Sequence, residues 1–169
     1  MTVANTKSKI LDGKVLSNKI KTELKEKINK LDFKIGLGII LIGKRPDSEV
    51  YVKMKKKACE KVGIINYDIN LNENSSEEKI IEEIKKMNNN KNIHSILVQL
   101  PLPKHINERN VLNSVIYNKD VDGFHTTNIG KLTSKDDNYS APCTPLGCIE
   151  LLKEYNIPIE KQNVVILGR

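Results

Sequence analysis

The chain has 169 residues, enough for one ordinary domain with a real core, or one domain plus the start of another. Hydrophobic residues at 38% and charged residues at 29% set it apart from disordered chains, and the longest apolar runs, GLGIILIG and NVVILG, fall far short of the roughly 20 residues that span a bilayer. A net charge of +7 admits a nucleic-acid surface, but with no Trp, two Phe and no helix-turn-helix or RNP-like pattern, an anionic small substrate is the better use for it.

In chain order, MTVANTKSKILDG lacks the apolar core of a secretory signal. Leu16, Ile20, Leu24, Ile28 and Leu31 then recur at helical spacing after the Asp12-Gly13 turn. KIGLGIILIG, Lys34 to Gly43, reads as a buried strand followed by a KRPDS turn. A second helix is expected from Asp47 or Ser48 to Gly63, where a residue without a side chain suits a helix stop. INYDINLN alternates like a strand. Ser75-x-x-Glu78 forms a capping box ahead of a helix carrying Ile80, Ile81, Ile84 and Met87. HSILVQL is a second buried strand, Val111 to Ile116 a short helix, and NKDVDGFHTTNIGKL an irregular stretch. Thr144 and Pro145 mark the start of a helix ending near Tyr155, and NVVILG closes as a strand. Helices alternating with short buried strands predict an α/β protein with a mostly parallel sheet flanked by helices, with functional residues at the carboxyl ends of strands.

Few residues are candidates for chemistry. On the second helix Val50, Met54, Ala58 and Val62 repeat every four residues as a core stripe, and Ser48, Tyr51, Lys55 and Cys59 lie beside it. Of the lysines there, Lys53, Lys56, Lys57 and Lys61 turn further away. Lys55 borders buried surface one turn beyond an aromatic ring, a place where a lysine is equipped for proton traffic or simply covers the core edge with its amine in water. Gln99, in VQLPLP, stands at a strand end braked by two prolines, offering an amide to a ligand or to a neighbouring loop. KDVDGFH sets Asp120 and Asp122 beside a glycine. Paired acids grip a polar heterocycle or a metal, but no third carboxylate or His cluster completes a metal site, and His125 alone is weak. Cys143 and Thr144 sit at a helix start with no evident base for the thiol. Cys59, Cys143 and Cys148 lack C-x-x-C spacing, so neither a disulfide framework nor a zinc site is expected and a reducing compartment, the cytoplasm, is the default.

Taken together, SEVYVKMKKKACEKVGI, ILVQLPLPKHI, KDVDGFH, APCTPLGCIELL and VVILGR resemble, in order and spacing, the bifunctional methylenetetrahydrofolate dehydrogenase/methenyltetrahydrofolate cyclohydrolase family from Leu11 onward. The resemblance implies that Lys55 is the catalytic lysine, that Tyr51 packs on the aminobenzoyl part of the folate, that Gln99 holds the lysine, and that Asp122 grips the pterin, with Ser48 near the folate. It implies NADP as cofactor, with Cys143 and Thr144 in the stretch approached by the nicotinamide and Gly168 and Arg169 opening the phosphate-binding turn. It further implies a tetrahydrofolate derivative as substrate, a homodimer for the complete enzyme, and no nucleic-acid or membrane partner. The expected organisation is a folate-binding domain over 1–122, then a connecting segment and the first elements of a Rossmann-like NAD(P) domain over 123–169. On this reading the chain is a fragment of a longer enzyme, and a folate-binding domain without turnover is the alternative; a basic nucleic-acid-binding module is a remote third.

Overall fold

A computed structural model describes residues 10–167. The sheet is built around β1 (Gly36–Ile42), whose sequence GLGIILI has no polar side chain to offer either face. Such a strand is stable only in the middle of a sheet covered on both sides. It pairs in parallel with β2 (Ile65–Leu71) on one edge and β3 (Ser95–Val98) on the other, giving the order β2-β1-β3. Alternation along β1 sends Ile40 and Ile42 to one face and Ile39 and Leu41 to the other.

Ile40 and Ile42 join the larger core with Ile80, Ile84 and Met87 of α3 (Glu77–Asn89) and Val111 of α4 (Glu108–Ser114). The opposite face is closed by Val52 of α2 (Pro46–Val62), packed on Ile39, Leu41 and Leu97. At about 1.5–3 kcal/mol for each fully buried aliphatic side chain, these two layers drive the fold. α1 (Gly13–Ile28) lies against α2 and is capped by Asp12, whose carboxylate accepts from the Lys14 and Val15 amides. Its stripe is buried only at Leu16 and Ile28; Ile20, Leu24 and Leu31 are about 40% exposed.

Several boundaries differ from the sequence expectation. α2 begins at Pro46, and its core stripe is Ser48, Val52 and Val62, with Lys55 and Cys59 half-buried between them. Val50 and Met54, expected inside, are 56% and 62% exposed. A repeat of four drifts by about 40° per step around a helix of 3.6 residues per turn, so only one end of that stripe reaches the core. The i, i+4, i+7 series stays on the buried face. The cap of α3 is Ser76, whose hydroxyl accepts from the Lys79 amide, because Ser75 is engaged by its own amide in the preceding turn to Asn72. α4 starts three residues early, capped by Asn107.

The stretch read as irregular contains α5 (Thr126–Ser134), capped by His125, whose Nδ1 accepts from the Thr127 amide. α6 (Cys143–Glu154) starts one residue before Thr144, directly after Pro142. Residues 163–167 form no strand. Val164 to Leu167 are 69–94% exposed, and no strand lies alongside among the described residues to supply the ladder that holds extended chain in place.

Candidate active site at the carboxyl edge of the sheet

Just beyond β3 the chain bends at Gln99, whose amide N–H still donates to the Ile40 carbonyl. The Leu100–Pro101 bond that follows is cis. Alongside β3 runs a second segment: the Ile96 amide donates to Lys119 O and the Val121 amide donates to Ile96 O, so Asp120 pairs with Ile96 in parallel. This short extension of the sheet carries Asp122 to the same edge as Gln99. α2 returns over that edge and hangs Lys55 from its inward stripe. Here Lys55 Nζ donates to Gln99 Oε1 at 3.3 Å. Gln99 Nε2 in turn donates to Leu100 O at 2.7 Å, which fixes the amide so that its oxygen faces the lysine.

Asp122 completes the group. Burial pushes its carboxyl above the ordinary value; the nearby Lys55 ammonium opposes that rise, Asp120 adds to it, and a hydrogen bond from the Cys143 thiol opposes it. Cys143 is exposed as a residue, yet the packing around its sulfur and then the Asp122 carboxylate beside it push the thiol up. Cys143 Sγ also lies 3.4 Å from Val121 O. A base-like neighbour for the cysteine is therefore present, but it holds the proton on sulfur rather than removing it, so this is no activated nucleophile.

The expected residues thus divide. Lys55, Gln99, Asp122 and Cys143 converge from α2, β3, the segment beyond it and α6. Tyr51, 60% exposed, stands one turn before Lys55 with its ring open to solvent, and Ser48 is buried two turns before it on the inward stripe. Thr144 is exposed in the first turn of α6. Gly168 and Arg169 lie outside the described residues. Asp120, which the sequence offers only as one of a pair of acids, and Asn128, to which it assigns no role, are deeply buried polar side chains nearby, at 6% and 2% exposure. The signal for Asn128 is faint: a poor helix former inside a short helix, three residues after the capping His125.

A cavity of about 1010 Å³ lies elsewhere, between α2 and the β2 edge, lined by Lys44, Lys53, Lys57, Glu49, Glu60 and Glu73 among others. Its charges alternate in sign and Lys56 is ion-paired with Asp68. Among the described residues no cluster of three or more His, Cys, Asp or Glu could hold a metal ion, and no helix is long and apolar enough to cross a membrane.

Residues 11–122 match the family model described as tetrahydrofolate dehydrogenase/cyclohydrolase, catalytic domain. The chain is 45% identical to the chloroplastic bifunctional protein FolD 4 of Arabidopsis thaliana over 175 residues, covering 98% of this chain and 49% of that one. With the bifunctional protein FolD of Nautilia profundicola the identity is 47% over 162 residues, 94% of this chain and 57% of the other. In structure it is similar to the Campylobacter jejuni enzyme FolD, a methylenetetrahydrofolate dehydrogenase/cyclohydrolase, with a TM-score of 0.86 and 47% identity over 88% of this chain and 54% of that one. The Trypanosoma brucei dehydrogenase-cyclohydrolase, solved with NADP and an inhibitor, gives a TM-score of 0.84 at 34% identity over 88% and 52%. The chain spans about half the length of the curated relatives it matches.

Proposed function

Since the chain belongs to the tetrahydrofolate dehydrogenase/cyclohydrolase family, we propose that it binds a reduced folate at the Lys55–Gln99–Asp122 edge and carries the machinery for hydrating the 5,10-methenyl cation to 10-formyltetrahydrofolate. The observation that carries this is the contact of Lys55 Nζ with the oriented amide of Gln99, beside the half-buried Asp122 carboxylate. Asp122 accepts hydrogen bonds from the amino and N–H edge of the pterin, and Tyr51 offers its open ring to the aminobenzoyl group. This places the bridge carbon near the amine. Water adds to the C=N⁺ carbon as Lys55, reacting as the free amine, takes one of its protons and leaves a neutral carbinolamine. The lysine returns that proton to N5 as the bond to N5 breaks, the hydroxyl proton is lost to solvent, and the formyl group remains on N10. Gln99 keeps the amine on the bridge carbon's side, which is orientation rather than chemistry.

Oxidation of the 5,10-methylene bridge by NADP is the other half of the family's activity. The described residues do not fit a whole dinucleotide site: among them no glycine-rich turn opens a helix toward Asp122, and Cys143 and Thr144 provide one wall at most. We assign residues 1–122 to folate binding and 123–169 to the connection toward a cofactor domain. The three free cysteines favour a reducing interior, cytoplasmic or within an organelle.

The test is calorimetric titration of tetrahydrofolate into the 169-residue chain, followed by the absorbance decay of 5,10-methenyltetrahydrofolate. Saturable binding with protein-dependent hydrolysis supports the full reading. Binding without hydrolysis supports a folate-binding domain that needs more chain to turn over. No binding rejects both.

A further inference from the structure

Two buried polar side chains take no part in the chemistry above, yet they stand directly behind it. Asp120 Oδ1 accepts from the Gly123 amide at 3.1 Å, while Oδ2 accepts from the His125 amide at 2.8 Å and from Asn128 Nδ2 at 2.9 Å. Asn128 Nδ2 also donates to Tyr117 O at 3.0 Å, and its Oδ1 accepts from the Ser140 amide at 3.3 Å. One side-chain pair is therefore bonded to two separate segments. The first is the 120–123 turn that carries Asp122. The second is the 140–143 segment that carries Cys143.

The two segments touch as well as share a tether. A Cβ on Gly123 would collide with the Ser140 carbonyl oxygen and come within 2.9 Å of Ala141 C and Pro142 N. Asp120 alone could close its own turn, since its bonds to Gly123 and His125 are local. The bond from Ser140 to Asn128 is not local, and an uncharged fork with both donors and an acceptor is what it requires. A carboxylate at 128 would face Asp120, and an aliphatic side chain would take one of the three donors from the Asp120 carboxylate and leave the Ser140 amide without its acceptor.

We propose that Asn128, acting through Asp120, is a positioning residue that sets the spacing of Asp122 and Cys143 and so holds the Asp122 carboxylate where a pterin edge can meet it. The role in ligand binding rests on the folate reading; the spacing itself does not. Asn128 touches no reacting atom, and its effect is transmitted through the two segments it ties.

Asn128→Ala is the test, read three ways on the full chain: the urea unfolding midpoint, tetrahydrofolate affinity, and the iodoacetamide alkylation rate of Cys143 relative to Cys148. Cys148 sits on the same helix, is exposed, and serves as the internal reference. Loss of the tether should weaken folate binding about tenfold in protein that is still folded, the order expected for misplacing a charged acceptor. It should also raise the Cys143 to Cys148 ratio several-fold as the thiol is freed from the Asp122 carboxylate. A lowered midpoint with both affinity and ratio unchanged means a merely structural role and overturns the proposal. If the wild-type chain binds no folate, the functional reading fails and the alkylation ratio alone decides the positioning. Should Asn128→Ala not fold, the isosteric Asp120→Asn, which turns a donor toward the turn's amides, must shift the ratio in the same direction; an unchanged ratio there also overturns it.

Discussion

A single methyl group at Gly123 tests whether the Asp122 turn and the Cys143 segment form one packed unit. Gly123 has φ +71°, and a side chain there meets backbone rather than a flexible tip. Left-handed φ costs an L-residue about 1–2 kcal/mol. Forcing a methyl into closed packing adds about 1–3 kcal/mol. Gly123→Ala should therefore destabilise by about 3 kcal/mol, a large share of the ~5–15 kcal/mol that holds a typical domain together. Gly130 and Gly147 are the controls. Both lie inside helices, α5 and α6, and among the described residues nothing comes within 4 Å of the place an added methyl would take. Alanine at either should stabilise by about 0.5–1 kcal/mol, through helix propensity. Urea unfolding of the three variants, with m-values matching the wild type, gives the comparison. A Gly123→Ala variant within about 0.5 kcal/mol of the wild type would refute the close contact, since that is the ordinary range for an unencumbered surface change.

Four other outcomes follow from the same geometry. Lys55→Met should abolish hydrolysis of the methenyl cation while leaving folate affinity within about threefold, because the amine acts on water rather than on the pterin; persistent hydrolysis rejects the role given to the amine. Asp122→Asn should raise stability at neutral pH and weaken folate binding. Burial raises the carboxyl's folded value, so its protonated form is favoured in the fold and the stability it contributes is lost as pH rises through that value. The gain in the Asn variant should accordingly vanish in acid, below the unfolded carboxyl's pKa, and a gain that persists there would contradict the sign. The same variant should quicken alkylation of Cys143 but not of Cys148, as the carboxylate that pushes the thiol up is gone. Lys119→Met should cost about 1–2 kcal/mol in urea unfolding, since Lys119 Nζ donates to the Asn88 and Asn90 carbonyls at the end of α3.

The elements legible in the sequence are those with strong periodicity or a clear cap. The apolar run of β1 and the Ile80–Ile84–Met87 face of α3 have only one stable environment each, and both are buried as expected. Helix geometry singles out Lys55, and Gln99 is marked by its place before two prolines. Their contact follows from a parallel sheet whose helices return over its carboxyl edge. What escapes the sequence is set by tertiary context. The stripe expected on α2 is misplaced because four-residue spacing and the true buried face diverge over several turns. α5 is hidden because its cap is a histidine, an uncommon choice with no side-chain signature beyond its ring nitrogen. Asp120 and Asp122 look alike in the sequence and differ completely in the fold: one is spent on backbone amides and Asn128, the other faces Lys55. NVVIL has strand composition, yet extended chain is fixed only by a neighbour.

The most direct measurement is a crystal structure of the chain with a bound reduced folate. The pterin should lie against the Asp122 carboxylate with the one-carbon position facing Lys55 Nζ and the aminobenzoyl ring on Tyr51. Folate found instead in the cavity between α2 and the β2 edge, with the Lys55–Gln99 contact untouched, would contradict the assignment.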